Sequence, residues 1–182
     1  MRTPASRGFP PIEPAPGVAR ILILGSLPGQ ESLAQVQYYA HPRNAFWRII
    51  GELGGAAADQ PYAQRVRAIT ELGIAVWDVL QAARRPGSLD SRIERTSEVA
   101  NDIAGLLARQ PGIALIAFNG ATAATLFRRH LGAQLRSLTA AIDCIALPST
   151  SPAHAALRYE DKRERWRSAL APRLLNSARK AP

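Results

Sequence analysis

Four short apolar runs, residues 19–24, 74–79, 113–118 and 142–147, divide the chain. Each is too short for a helix, rich in Ile, Leu, Val and Ala, and without polar alternation, as strands covered on both faces are. Helical segments separate them, with recognisable stops. Residues 45–54 end at Gly54-Gly55, and 61–72 open on Pro61 and stop at Gly73. Residues 98–109 stop at Pro111-Gly112, another helix runs from Asn119-Gly120 through His130, and a last spans 159–175 with charges of both signs. Strands alternating with helices predict a parallel sheet with helices on both faces. All four strand ends then lie along one edge, where open α/β sheets bind ligands.

At 182 residues the chain suits one domain with a sizeable core. The expected division is a Pro-rich arm over 1–17 draped on the surface, a domain over 18–176 and a tail over 177–182. No apolar run reaches the roughly eighteen residues of a membrane helix, and the first sixteen residues lack a signal-peptide core. These features point to the cytosol or nucleoid; a monomer is the default expectation. One cysteine, Cys144, excludes an internal disulfide, a four-cysteine iron–sulfur site and the zinc site of nucleobase deaminases. In an apolar strand it reads as an inert core residue.

A formal net charge of +9 favours a polyanionic partner such as nucleic acid. The same charge also follows from an Arg-rich, Ala-rich composition, so it decides little alone. The only lysines are Lys162 and Lys180, far in sequence from the first loop, which argues against Schiff-base chemistry.

That loop, between the first strand and the helix at residue 45, carries the most chemistry. Gly25, Pro28 and Gly29 force a tight non-helical backbone. Tyr38 and Tyr39 offer flat faces to a planar ring, while His41, Arg43 and Asn44 add polar groups. Phe46 and Trp47 lead the helix and read as core. The loop is neither a Gly-x-x-x-x-Gly-Lys phosphate cradle nor a dinucleotide fingerprint, so no nucleotide cofactor is expected. Three scattered histidines give no basis for a metal site.

The segments Gly25-Ser-Leu-Pro-Gly29, Tyr39-Ala-His-Pro-Arg-Asn-Ala-Phe-Trp47 and Leu147-Pro-Ser-Thr-Ser-Pro-Ala153 resemble the uracil-DNA glycosylase superfamily. Within it they are similar to the hypoxanthine-DNA glycosylase (DNA-deoxyinosine glycosylase) branch, as are Trp77-Asp-Val and Gly87-Ser-Leu-Asp-Ser91. The likeness covers about residues 9–170. It implies a three-layer α/β/α sandwich around a four-stranded parallel sheet. It also implies a cofactor-free enzyme that flips a deaminated base from DNA and hydrolyses its N-glycosidic bond.

By the same resemblance, Gly25, Ser26, Leu27, Pro28 and Gly29 line the base pocket and Tyr39 stacks on the base. In mismatch-specific uracil and thymine enzymes the third position of the first segment is a water-positioning Asn. Leu27 cannot do this, which weighs against uracil excision, and the branch uses Asn44 instead. Asn is also a favoured helix cap, and both roles are compatible. Asp78 stands where relatives carry a base-reading Asn; it accepts from a purine N–H or caps neighbouring amides. Asn119 is a pocket candidate, or simply half of an Asn-Gly turn.

The resemblance places Ser149, Thr150, Ser151 and His154 in the loop that enters the DNA minor groove; the hydroxyls are candidate phosphate contacts, and His154 a contact to phosphate or to the leaving base. For His154 a plain surface role is equally open. The charged last helix reads as mostly solvated, and His130 as structural. Alternatives are a glycosylase for uracil or another deaminated base, a DNA-binding module without catalysis, and a nucleoside hydrolase.

Overall fold

The protein is described by a computed structural model over residues 4–137 and 139–175; the expected 177–182 tail lies outside the described residues. In chain order the elements are β1 (Ala5–Arg7), β2 (Ile21–Gly25), α1 (Gln30–Gln35), α2 (Phe46–Glu52), α3 (Tyr62–Glu71) and β3 (Ile74–Asp78). There follow β4 (Leu80–Arg84), β5 (Val99–Ala100), α4 (Ile103–Arg109), β6 (Leu115–Asn119), α5 (Ala121–His130), β7 (Asp143–Leu147) and α6 (Tyr159–Leu170).

The expected three-layer α/β/α architecture is present. A four-stranded parallel sheet runs in the order β3-β2-β6-β7, flanked by helices. Every residue of β2 and β3 is buried, which explains their unbroken apolar sequences. Register pairs Ile21 with Ile74 and with Leu115, and Leu115 with Asp143, so the four strands end together. At the open edge, Asp143 to Ala146 of β7 are exposed. Cys144 is therefore exposed rather than a core residue, because an edge strand lacks cover on this side.

Three further departures have physical reasons. The segment 30–35 inside the first loop forms α1, a short helix too weakly patterned to predict. The chain leaves β3 straight into β4, which joins β1 and β5 in a separate antiparallel sheet. The expected helix start at residue 98 is replaced by β5, and α4 begins only where Asp102 accepts the Gly105 amide at 2.9 Å.

The N-terminal arm is woven in rather than draped. Ile12 and Val76 exchange backbone hydrogen bonds of 2.8 and 2.9 Å, so the arm closes the free edge of β3. The indole of Trp77 donates to the Phe9 carbonyl at 2.9 Å. Buried Gln110 ties the next stretch down: it accepts from the Ala19 amide at 3.0 Å and donates to the carbonyls of Pro14 and Ala15. Among the described residues, no helix is long and apolar enough to cross a membrane.

Replacing Gln110 with Leu keeps the bulk and orphans the Ala19 amide and the Pro14 carbonyl, while the Ala15 carbonyl keeps its bond from the Val18 amide. Unfolding free energy should fall by about 2 kcal/mol, the usual penalty for unsatisfied buried groups. Urea denaturation measures this, and an unchanged midpoint would mean that Gln110 does not hold the arm.

Candidate active site

The sheet's common register brings Gly25 opposite Asp78 and Asn119 opposite Leu147, at the carboxyl edge. Only glycine fits at position 25. A Cβ there would collide with Oδ1 of Asp78 and stand 3.1 Å from the Tyr39 hydroxyl. Tyr39 has a left-handed backbone, φ +54°, unusual for an aromatic residue. Its ring stacks on Phe46 with centroids 3.9 Å apart and planes at 27°. One face is thus covered by protein.

Asp78 is 4% exposed, and among the described residues neither its Oδ2 nor the buried Tyr39 hydroxyl has a hydrogen-bond partner. Two orphaned polar atoms beside one glycine are costly, about 1–3 kcal/mol each. Burial pushes the Asp78 carboxyl up to about 7, with the Asp90 charge adding and Arg85 opposing. Burial also raises the Tyr39 phenol, and Asp78 raises it further. Asn119 acts the other way, without a well-formed bond to the hydroxyl. Tyr38, by contrast, is core. It is 3% exposed, meets Phe9 edge-on and accepts the Trp47 indole at its carbonyl, 2.8 Å away, so its ring is no platform for a ligand.

Asn44 sits in the turn that opens α2. Its amide donates to the His41 carbonyl at 2.8 Å, and its Oδ1 accepts from the Phe46 amide at 3.0 Å. The capping role is therefore real. An amide oxygen has two lone pairs, so one remains for a water proton. One residue on, the Ala45 amide donates to the Thr150 carbonyl at 3.0 Å. The first and second loops are thereby joined beside Asn44.

Asn119 is more than a turn residue. Its Nδ2 donates to the Thr150 hydroxyl and its Oδ1 accepts from the Thr150 amide, both at 2.8 Å. Thr150 is 1% exposed, and its side chain is committed to Asn119. Ser149, Ser151 and His154 remain partly exposed on the same loop. Its backbone is pinned from α6: the Trp166 indole donates to the Pro148 carbonyl at 2.9 Å and Lys162 donates to that of His154 at 3.2 Å. Lys162, Trp166 and Leu170 form a buried stripe at four-residue spacing, so α6 is not simply a solvated helix.

In the first loop, Leu27 is 5% exposed and packs into the core, so its side chain does not line a pocket. Sequence reasoning missed Arg85, which is 2% exposed and donates to the Leu27 carbonyl at 3.1 Å and to the Pro28 carbonyl. Asp90 accepts from Arg85 at 3.3 Å and from the Ser26 hydroxyl at 2.7 Å. The segment Gly87 to Ser91, already part of the resemblance, was the available signal for Asp90. Among the described residues, no group of three or more His, Cys, Asp or Glu side chains is gathered as metal ligands would be.

The arrangement is a buried polar cluster of Gly25, Asp78 and Tyr39 at the carboxyl edge of the sheet, where the first loop, with Asn44, is bonded to the anchored Ser-rich loop. The family model of the uracil DNA glycosylase superfamily matches residues 13–174. A hypoxanthine DNA glycosylase of Methanosarcina acetivorans is 42% identical over 115 residues, 63% of this chain and 70% of that protein. A protein of the same name from Methanosarcina barkeri is 39% identical over the same shares. The solution NMR structure of a candidate uracil DNA glycosylase from Methanosarcina acetivorans superposes with a TM-score of 0.73 at 33% identity. It covers 91% of this chain, and 96% of its own length is matched. The chain therefore belongs to the uracil DNA glycosylase superfamily.

Proposed function

We propose that the protein is a monofunctional DNA glycosylase that removes hypoxanthine from deoxyinosine in DNA and leaves an abasic site. The observation that carries this is the orphaned pair at the pocket floor, the Asp78 carboxyl and the Tyr39 hydroxyl. A carboxyl pushed up to about 7 is substantially protonated at neutral pH. A protonated carboxyl offers one donor and one acceptor. That is the complement of the O6 and N1–H edge of hypoxanthine. Relatives with the corresponding name support the same substrate.

In this reading the base leaves the duplex and enters the edge cleft, with Tyr39 against it and Asp78 reading its polar edge. Ser149, Ser151 and His154 meet the phosphate backbone. Asn44 orients a water through its free lone pair. As the C1′–N9 bond breaks, its electron pair leaves with the purine. The water oxygen bonds to C1′, and the water's proton passes to the departing base, giving neutral hypoxanthine. Asn44 is no strong base, and the oxocarbenium-like sugar needs little push. Hydrogen bonding to the departing purine lowers the barrier instead. Uracil excision is disfavoured because position 27 carries a buried leucine in place of a water-positioning amide.

Labelled duplexes with one inosine, uracil, xanthine or thymine mismatch, treated with alkali after incubation, test the assignment. An inosine-dependent break is expected, reduced at least about 100-fold in Asn44→Ala, as for loss of one preorganised catalytic amide. Breaks at uracil without breaks at inosine would overturn the substrate.

Asp78 also sets a pH dependence. Its folded value of about 7 exceeds the ordinary 3.8 of the unfolded chain. Between these values the folded state holds a proton that the unfolded state has lost. Stability should therefore fall as pH rises from about 4 to about 7 and level off above. Denaturation midpoints of Asp78→Asn should lose this slope; a slope equal to that of the unaltered protein would contradict the assignment.

A further inference from the structure

The Arg85 side chain is 1% exposed, yet it carries a full charge and lies next to the pocket floor. Its guanidinium spends four N–H groups on four acceptors. Nε donates to the Gly87 carbonyl at 3.2 Å, and Nη1 to the Leu27 carbonyl and Asp90 Oδ1 at 3.1 and 3.3 Å. Nη2 donates to the Pro28 carbonyl. Asp90 continues the chain to Ser26. Three consecutive residues of the first loop, 26 to 28, are thus fixed by one ion pair from the 85–90 segment. Gly25, the next residue back, is the one in contact with Asp78 and Tyr39.

Such a pair is not explained by stability alone. Desolvating two charges offsets most of their attraction, and apolar replacements of buried ion pairs are often neutral or better. What a planar five-donor fork does supply is directional control that no apolar side chain and no lysine can match.

We infer that Arg85, with Asp90 as its counter-ion, is a positioning residue for base excision: it locks the loop 25–29 so that the pocket floor meets the flipped base in one geometry. This inference rests on the glycosylase reading above. Neither side chain is needed to touch the base. The effect falls on the reacting geometry, where small displacements are costly, and not on DNA affinity, which the phosphate-facing loop supplies from the other side.

Arg85→Lys keeps the charge and loses the fork; Asp90→Asn keeps an acceptor for Ser26 and loses the counter-charge. Single-turnover excision of an inosine duplex, affinity for an abasic-site duplex and melting temperature are measured for each. The expected result for Arg85→Lys is a rate about 100-fold lower with abasic-duplex affinity within about two-fold, and a melting temperature lowered by a few degrees because one ammonium cannot serve all four acceptors. Asp90→Asn should show the same split to a smaller degree, and it decides the matter if Arg85→Lys does not fold. An unchanged rate overturns the inference. So do parallel losses of rate, affinity and melting temperature, which would make the pair a general stability element. If the unaltered protein excises no base, the glycosylase reading fails on its own. The positioning claim is then judged by amide hydrogen exchange of residues 25–27 and 29. Exchange should be at least about tenfold faster in Arg85→Lys, with the strand amides unchanged; equal exchange overturns it.

Discussion

A parallel sheet covered on both faces leaves few places for polar groups to gather. Its strands must be apolar, and its strand ends all face the same way. In this chain the constraint is used at every strand end. Gly25, Asp78 and Asn119 sit on the last rungs of β2, β3 and β6, and Leu147 ends β7. The pocket floor is thus fixed by the most rigid part of the molecule, while the loops that complete it are tied down one hydrogen bond at a time. Aromatic packing does the rest. Phe46 stands between Tyr39 and Trp166, so the helix that follows the first loop is wedged to the helix that follows the second.

The electrostatics of the floor are those of an incomplete cage. Arg85 and Asp90 satisfy one another and the first loop, and Asp90 raises the proton affinity of Asp78 across the gap. Among the described residues the carboxyl has no cation of its own within hydrogen-bond reach, and burial holds it partly neutral near physiological pH. A permanently charged carboxylate there would repel an electron-rich base edge. A neutral one can both give and receive a proton bond.

Much of this was legible in the sequence. Residues 25–29 and 39–47 follow a buried strand without interruption, so their place at the carboxyl edge needed only the strand to be recognised. That placed Asn44 and Tyr39 near the edge, while the roles proposed for them came from the family resemblance. Arg85 was missed, because its partners Leu27 and Pro28 lie 58 and 57 residues away and an arginine among many reads as surface. Asn119 looked like a turn because its neighbour is glycine; its grip on Thr150 spans 31 residues and leaves no local mark. The strand β4, Leu-Gln-Ala-Ala-Arg, carries no β-branched residue and was passed over. Cys144 was misplaced because apolar sequence does not distinguish a central strand from an edge one.

The bond from the Ala45 amide to the Thr150 carbonyl is a single link, yet it ties two segments that lie far apart in the chain. With Asn119 holding Thr150 at two more points, the Ser-rich loop and the turn bearing Asn44 form one mechanical unit. If the Ser-rich loop meets the phosphate backbone and Asn44 orients the water, as proposed, strain applied to one side reaches the other within a residue or two. Grip on the strand and alignment of that water would then be two readings of one lever, and a duplex that seats poorly would also lose its base slowly.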